Sequence, residues 1–226
     1  MQNIVKSTYR NFVRKPATNL INLLGLAVSL ALVIILSVYS YSELTTDNYH
    51  KNGDRVYLFS KENNAIYSPA VLKDQIDLSV PDVEATVRMA TMWQAPVFQA
   101  GDREPITSDM VFADKDFFNL FTYQAIEGNL EEALNEPMTI ILNRHLAERL
   151  FGTEPALGKT LKINNNHYLT VSAVLEEPEA NTVLSFSSLA NNETRKIVNP
   201  NGDEFKEWGW NNFQTFILLK KGGDPI

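Results

Sequence analysis

The ten residues "FGTEPALGKT", Phe151 to Thr160, close on the Gly-Lys-Thr that ends a nucleotide-binding P-loop. That chemistry requires G-x-x-x-x-G-K-[ST]: the first glycine opens a wide turn whose backbone amides wrap the phosphates, and the lysine reaches them. Here Thr153 holds the first position of the frame and Gly152 stands one residue too early. The order of elements is also wrong, because a P-loop follows a buried strand and opens a helix. "NRHLAERLFG" reads as a helix that precedes the motif, with Asn143 as its N-cap, Leu146, Leu150 and Phe151 on one face, and Gly152 as a left-handed C-cap. "KTLKINNNHYLTVSAVLEE", which follows, alternates as two strands joined by the turn Asn164 to Asn166. Lys159 is therefore expected to be structural.

Other reactive side chains do not assemble into a constellation. His50, His145 and His167 are far apart in sequence and none has a metal-ligand spacing, so each is expected at the surface or in a turn. No G-x-S-x-G elbow accompanies the serines, and the lack of cysteine removes disulfides and thiolate metal sites. Glu176, Glu177 and Glu179 surround Pro178 at a strand end, where a carboxylate run is usually a solvated face. Trp208 and Trp210 flank Gly209 and could form an aromatic ligand surface, although packing is the commoner use of such rings. No cofactor and no catalytic or metal-binding residue is expected.

The elements that must carry these residues fall into two unlike parts. The net charge of −7 conceals an asymmetry: Lys6, Arg10, Arg14 and Lys15 are the only charges before Glu43, and every acid lies beyond. From Pro16 to Ser42 there is no charge, and "NLINLLGLAVSLALVIILSVYSY" is dominated by Leu, Ile, Val and Ala. As a helix this stretch would span about 40 Å, against a hydrocarbon core of about 30 Å. A cleaved secretory signal has a shorter apolar region and a small-x-small site that Ser40-Tyr41-Ser42 replaces poorly. A membrane helix over residues 16–42 is expected, with its flanking cations in the cytoplasm and residues 43–226 outside the inner membrane. The acidic remainder would repel nucleic acid.

Within that helix Thr18, Asn22, Gly25 and Ser29 recur at spacings of four, three and four, a stripe of small and polar groups suited to packing on another helix. A lone anchor tolerating these residues is the alternative. In residues 1–15, Ile4, Val5, Tyr9, Phe12 and Val13 against Lys6, Arg10 and Arg14 would make an amphipathic helix in the headgroup layer, or a short solvated lead-in.

Beyond Glu43 the pattern is a mixed α+β domain without a regular βαβ beat. "RVYLFSK" reads as a strand, "SPAVLKDQIDLSVPDV" as a helix capped by Ser68 and stopped by Pro81, and "EATVRMATMW" as a strand returning against the first. "APVFQAG" is a short element, "SDMVFADKDFFNLF" a strand running into a short helix, "PMTIILN" an apolar strand, and "FQTFILLK" a closing strand. The segments "EEPEANTVLSFSS" and "NNETRKIVNPNGDEF" read as long loops, mobile or in contact with partners.

In this order the basic N-terminus, the single span, "RVYLF", "VFADKDFFNLFTYQAIEGN", "PMTIILNRHLAERLFG", "PALGKTLKINNNHYLTVSAVLEEPEANTVLSF" and "FQTFILLKKGGDP" resemble the MacB-type (FtsX-like) permease subunits of ABC transporters, in the branch common in Bacteroidetes-like bacteria. The likeness covers nearly the whole chain and is most specific from Pro137 to Glu176. It implies a periplasmic core domain divided into two subdomains, with no catalytic residues of its own. It further implies an ABC-type ATPase subunit as partner, a homodimer or second permease copy, contact with membrane lipid, and motion transmitted to the periplasm in efflux, lipoprotein or peptide export, or cell-envelope signalling. The family pattern continues into later membrane helices that would follow Ile226, so the sequence is expected to be a fragment or a shortened relative. The competing functions are a single-pass anchored periplasmic sensor or ligand-binding protein and, less supported, an anchored enzyme.

Overall fold

The computed structural model describes residues 16–164, 166–178, 182–198 and 204–223. The lead-in 1–15 and Glu179 lie outside them. The chain divides after Thr46 into two compact units. In the first, helix α1 runs Pro16–Thr45, about 45 Å at 1.5 Å per residue. It continues past the expected end at Ser42 because Glu43 ends the apolar run but not the helix. The hydroxyls of Thr45 and Thr46 donate to the carbonyls of Tyr41 (2.8 Å) and Ser42 (2.9 Å), satisfying acceptors of the last turn.

The second unit is built on one eleven-stranded mixed sheet. Its strands are β1 Val56–Leu58, β2 Val83–Thr91, β3 Val97–Gln99, β4 Ile106–Thr107, β5 Val111–Ala113, β6 Ala125–Gly128, β7 Thr139–Asn143, β8 Thr160–Ile163, β9 His167–Leu175, β10 Ser188–Asn191 and β11 Gln214–Leu219. Its helices are α2 Leu72–Ser79, α3 Phe117–Leu120, α4 Arg144–Phe151 and α5 Asn192–Val198. The spatial order is β1-β11-β2-β5-β10-β7-β9-β8-β3-β4, and β6 also pairs with β9. One edge of β9 is shared, with β8 on His167–Thr170 and β6 on Ala173–Leu175.

Strand alternation assigns the core to two faces of this sheet. Ile140 and Leu142 of β7, Phe112 of β5 and Ala190 of β10 enter one cluster, which α4 covers with Leu146, Ala147, Leu150 and Phe151. Ile141, Val111, Ala113 and Leu189, the alternate residues of the same strands, enter the other, where α3 supplies Phe117 and Leu120. The sheet is thus buried on both sides, which is why "TIIL" is apolar without alternation. Ile140, Ile141 and Leu142 are fully buried, each contributing about 1.5–3 kcal/mol. The two subdomains expected from the sequence do not separate as compact units; what divides is the core, between the faces of one sheet.

Three local expectations are corrected. The strand "EATVRMATMW" does not return against the first: β11 lies between β1 and β2, antiparallel to both, and pairs Leu58 with Phe216 and Val87 with Phe216. Ser68 does not cap α2. It is buried, bridges Phe213 through its backbone, and its hydroxyl lies 2.7 Å from the Thr215 hydroxyl, so Val71 takes the N-cap position without a side-chain bond. Of the segment "NNETRKIV", read as loop, Asn191 ends the fully buried β10 and the rest forms α5. Asn191 Oδ1 accepts from the Thr194 backbone N–H at 2.7 Å, an N-cap that Asn followed by Glu193 could have signalled.

Candidate functional site

The Gly-Lys-Thr lies where α4 has ended and β8 begins. Asn143 caps α4 by accepting from Leu146 N–H at 2.8 Å, and Gly152 closes it at φ +74°. The Gly158 amide donates to Val171 O at 2.8 Å and the Lys159 amide to Ala156 O at 3.0 Å. The amides of Ala156 and Leu157 both donate to Glu127 Oε2, at 2.9 and 2.7 Å. Donors that would face phosphate are therefore engaged within the protein, and a carboxylate occupies the turn. Lys159 pairs with Glu154 at 2.5 Å and lies 5.3 Å from the Phe151 ring centroid.

The three histidines do not converge, and among the described residues no group of three His, Asp or Glu is placed to hold a metal. His145 is exposed and His167 half-buried, but His50, expected at the surface or in a turn, is buried among Tyr49, Phe121 and Tyr123. Its Nδ1 accepts from the Thr122 N–H at 3.0 Å, which places the ring proton on Nε2, 3.7 Å from Asp47. Burial pushes His50 below its ordinary value, against the opposing pull of Asp47. Where the unfolded chain binds this proton and the folded chain does not, stability falls with falling pH. The melting temperature of the full chain should therefore drop as pH is lowered through about 6.5 toward 5. His50→Gln should flatten that part of the profile, and an unchanged slope would assign it to other groups.

His50 belongs to a segment, Asp47 to Arg55, that laces together the end of the sheet where the chain enters. Lys51 N–H donates to Thr122 Oγ1 (2.9 Å) and Asn52 Nδ2 to Asn119 O (2.8 Å). Val183 N–H reaches Asp47 Oδ1 at 3.3 Å, and the Tyr123 hydroxyl donates to Leu184 O at 2.7 Å, so part of the loop expected to be mobile or in contact with partners is tied here. Arg55 makes the longest connection: its guanidinium donates to Leu219 O (2.5 Å) at the end of β11, to Glu84 (2.7 Å) at the start of β2, and to Asn52 Oδ1 (2.8 Å). Sequence reasoning missed Arg55, because its partners lie far along the chain. Of the acidic knot, Glu176 pairs with Arg144.

In α1, Thr18, Asn22, Gly25 and Ser29 are all exposed, and ideal helical geometry sets them within about 60° of arc. Ser29 Oγ returns to Gly25 O at 2.8 Å, and a Cβ added at Gly25 would meet no atom within 4 Å. At the end of the sheet opposite the chain entry, β2 gives way to Trp93, which is 87% exposed, and the loop before β11 carries Trp208 and Trp210, also exposed. A cavity of about 410 Å³ there is lined by Tyr67, Thr91, Met92, Trp93, Arg195, Asn211 and Asn212. Beneath it Arg195 of α5 is buried, bidentate to Glu204 (2.7 and 3.0 Å) and set 5.5 and 5.4 Å from the Phe112 and Phe213 rings.

Together these features define a helix long and apolar enough to cross a membrane, followed by a mixed α+β domain whose ordered entry segment is bonded to its last strand. The family model of the MacB-like periplasmic core domain matches residues 20–225. The chain belongs to that family. Among solved structures it is similar to a domain described as belonging to a permease protein from Porphyromonas gingivalis, with 19% identity, a TM-score of 0.66, and 78% of this chain and 80% of that one covered. The periplasmic region of MacB from Actinobacillus actinomycetemcomitans matches at 11% identity and a TM-score of 0.56, over 76% and 78% of the two chains. The extracellular domain of the noncanonic ABC-type transporter YknZ from Gram-positive bacteria matches at 13% and 0.50, over 73% and 82%. No curated protein matches significantly. At these identities the likeness to solved structures is one of fold, and the α+β expectation agrees with it.

Proposed function

We propose that the chain is a non-catalytic ABC transporter permease subunit, or the N-terminal part of one, that receives motion driven by a separate cytoplasmic ATPase and delivers it to an extracytoplasmic domain. The observation that carries this reading is the lacing of the entry segment. A displacement arriving at Asp47 is passed through Arg55 to β2 and β11, through Asn52 to α3 and through Lys51 to the loop after it, so the sheet is pulled as one body. The cations at Lys6, Arg10, Arg14 and Lys15 favour a cytoplasmic N-terminus, with residues 43–226 in the periplasm and α1 in the inner membrane. The work served is efflux, lipoprotein or peptide export, or cell-envelope signalling.

Thr18, Asn22, Gly25 and Ser29 then form the face on which α1 packs against a second copy or another permease helix. Gly25→Leu should weaken that association by about 1–2 kcal/mol, read as reduced crosslinking between tagged copies in membranes; unchanged crosslinking removes the stripe from the assembly. The reading as a whole is tested by purifying the C-terminally tagged chain from its native membranes. An ABC-type ATPase should copurify, and recovery of none from well-solubilised material overturns the proposal.

A further inference from the structure

The end of the sheet opposite the chain entry carries a binding surface that force transmission does not use. Asn211 and Asn212 line the 410 Å³ cavity side by side, and the amide orientation of each follows from its partner. Asn211 Oδ1 lies 2.6 Å from Lys61 Nζ, which can only donate, so Asn211 keeps its Nδ2 hydrogens for a ligand. Asn212 Nδ2 lies 3.4 Å from Glu204 Oε2, which can only accept, so Asn212 keeps its carbonyl oxygen. Neighbouring carboxamides thus offer one donor and one acceptor. Two vicinal hydroxyls, each able to accept and donate, satisfy such a pair.

The charge and shape of the site narrow the ligand further. Arg195, which lines the cavity, is neutralised by its two bonds to Glu204, and Glu204 by the same bonds, so neither draws an ion. Tyr67 (50% exposed) and Trp93 (87% exposed) present ring surface at the rim, where the C–H face of a pyranose can lie on a π-face while its hydroxyls turn to the amides. The volume falls within the about 300–1,000 Å³ range of small-molecule sites. A protein partner would not need the amide pair. We infer that this cavity binds a saccharide, stacked on Trp93 and Tyr67 and held through adjacent hydroxyls by Asn211 and Asn212.

The test uses the full chain in detergent with maltohexaose, cellohexaose and N-acetylchitohexaose as probes. Tryptophan fluorescence and isothermal calorimetry are the readouts. At least one probe should bind with a dissociation constant at or below the millimolar range. Trp93→Ala, at a position too exposed to affect folding, should weaken it tenfold or more, and Asn211→Leu should do so while retaining the wild-type melting curve. Three results would overturn the inference: no response to any probe at 10 mM, an affinity unchanged in Trp93→Ala, or a photocrosslinker at position 93 that captures a protein in membranes while no sugar binds. None depends on the ATPase association, so this inference and the transporter reading fail separately.

Discussion

Glu204→Leu is expected to lower the unfolding free energy of the full chain by about 3–5 kcal/mol, because it leaves the Arg195 guanidinium buried without its counter-charge. Arg195 is 1% exposed, and its remaining bond, to Thr91 O at 3.3 Å, cannot replace a bidentate carboxylate. The paired change Arg195→Met with Glu204→Leu removes both charges from similar volumes and should return to within about 1 kcal/mol of the natural chain. Urea titration followed by tryptophan fluorescence measures both. A loss below 1 kcal/mol in the single variant would mean that water reaches Arg195 in solution.

The second large effect is expected at Gly128, the last residue of β6. Its φ is +85°, and a Cβ there would stand 2.4 Å from Ser172 O and 3.0 Å from Ala173 Cα. The left-handed conformation costs a side chain about 1–2 kcal/mol, and the backbone collision adds about 1–3 kcal/mol of overpacking. Gly128→Ala should therefore destabilise by about 2–5 kcal/mol and release β6 from the end of β9, with faster amide exchange at Val174 and Leu175. Gly101, at φ +57° with no atom within 4 Å of its added Cβ, separates the two contributions. Gly101→Ala should show the conformational cost alone. Equal losses at the two positions would refute the collision.

The sequence revealed what is decided locally. From Pro137 to Glu176 each element carries its own punctuation: apolar β7, the Asn143 cap, the Gly152 stop and the Asn164 turn at φ +49° all read directly. What escaped is decided across distance. β10 is four residues of Ser, Leu, Ala and Asn, without period or bulk, and becomes a buried strand only because β5 and β7 flank it. Ser68 has the composition of a helix cap, yet a hydroxyl more than a hundred residues later claims it. His50 and Arg55 carry no motif, since the backbone groups they serve belong to Thr122 and Leu219. The candidate site was legible in the same proportion: Trp208 and Trp210 marked the loop, but the amide pair beside them depends on Lys61 and Glu204.

The placement of β11 also governs when the domain can exist. β1, near the start of the unit, has β11 as its strand partner, and β2 has β11 along most of its length. A chain still emerging from a ribosome or a translocation channel leaves both strands with open edges until Leu219 has passed. The closing step joins residues about 160 positions apart, a loop closure that places folding among the slow topologies. Folding is thereby deferred until β11 has been delivered: the polypeptide that precedes it stays without a closed sheet, and this late strand acts as the fastener.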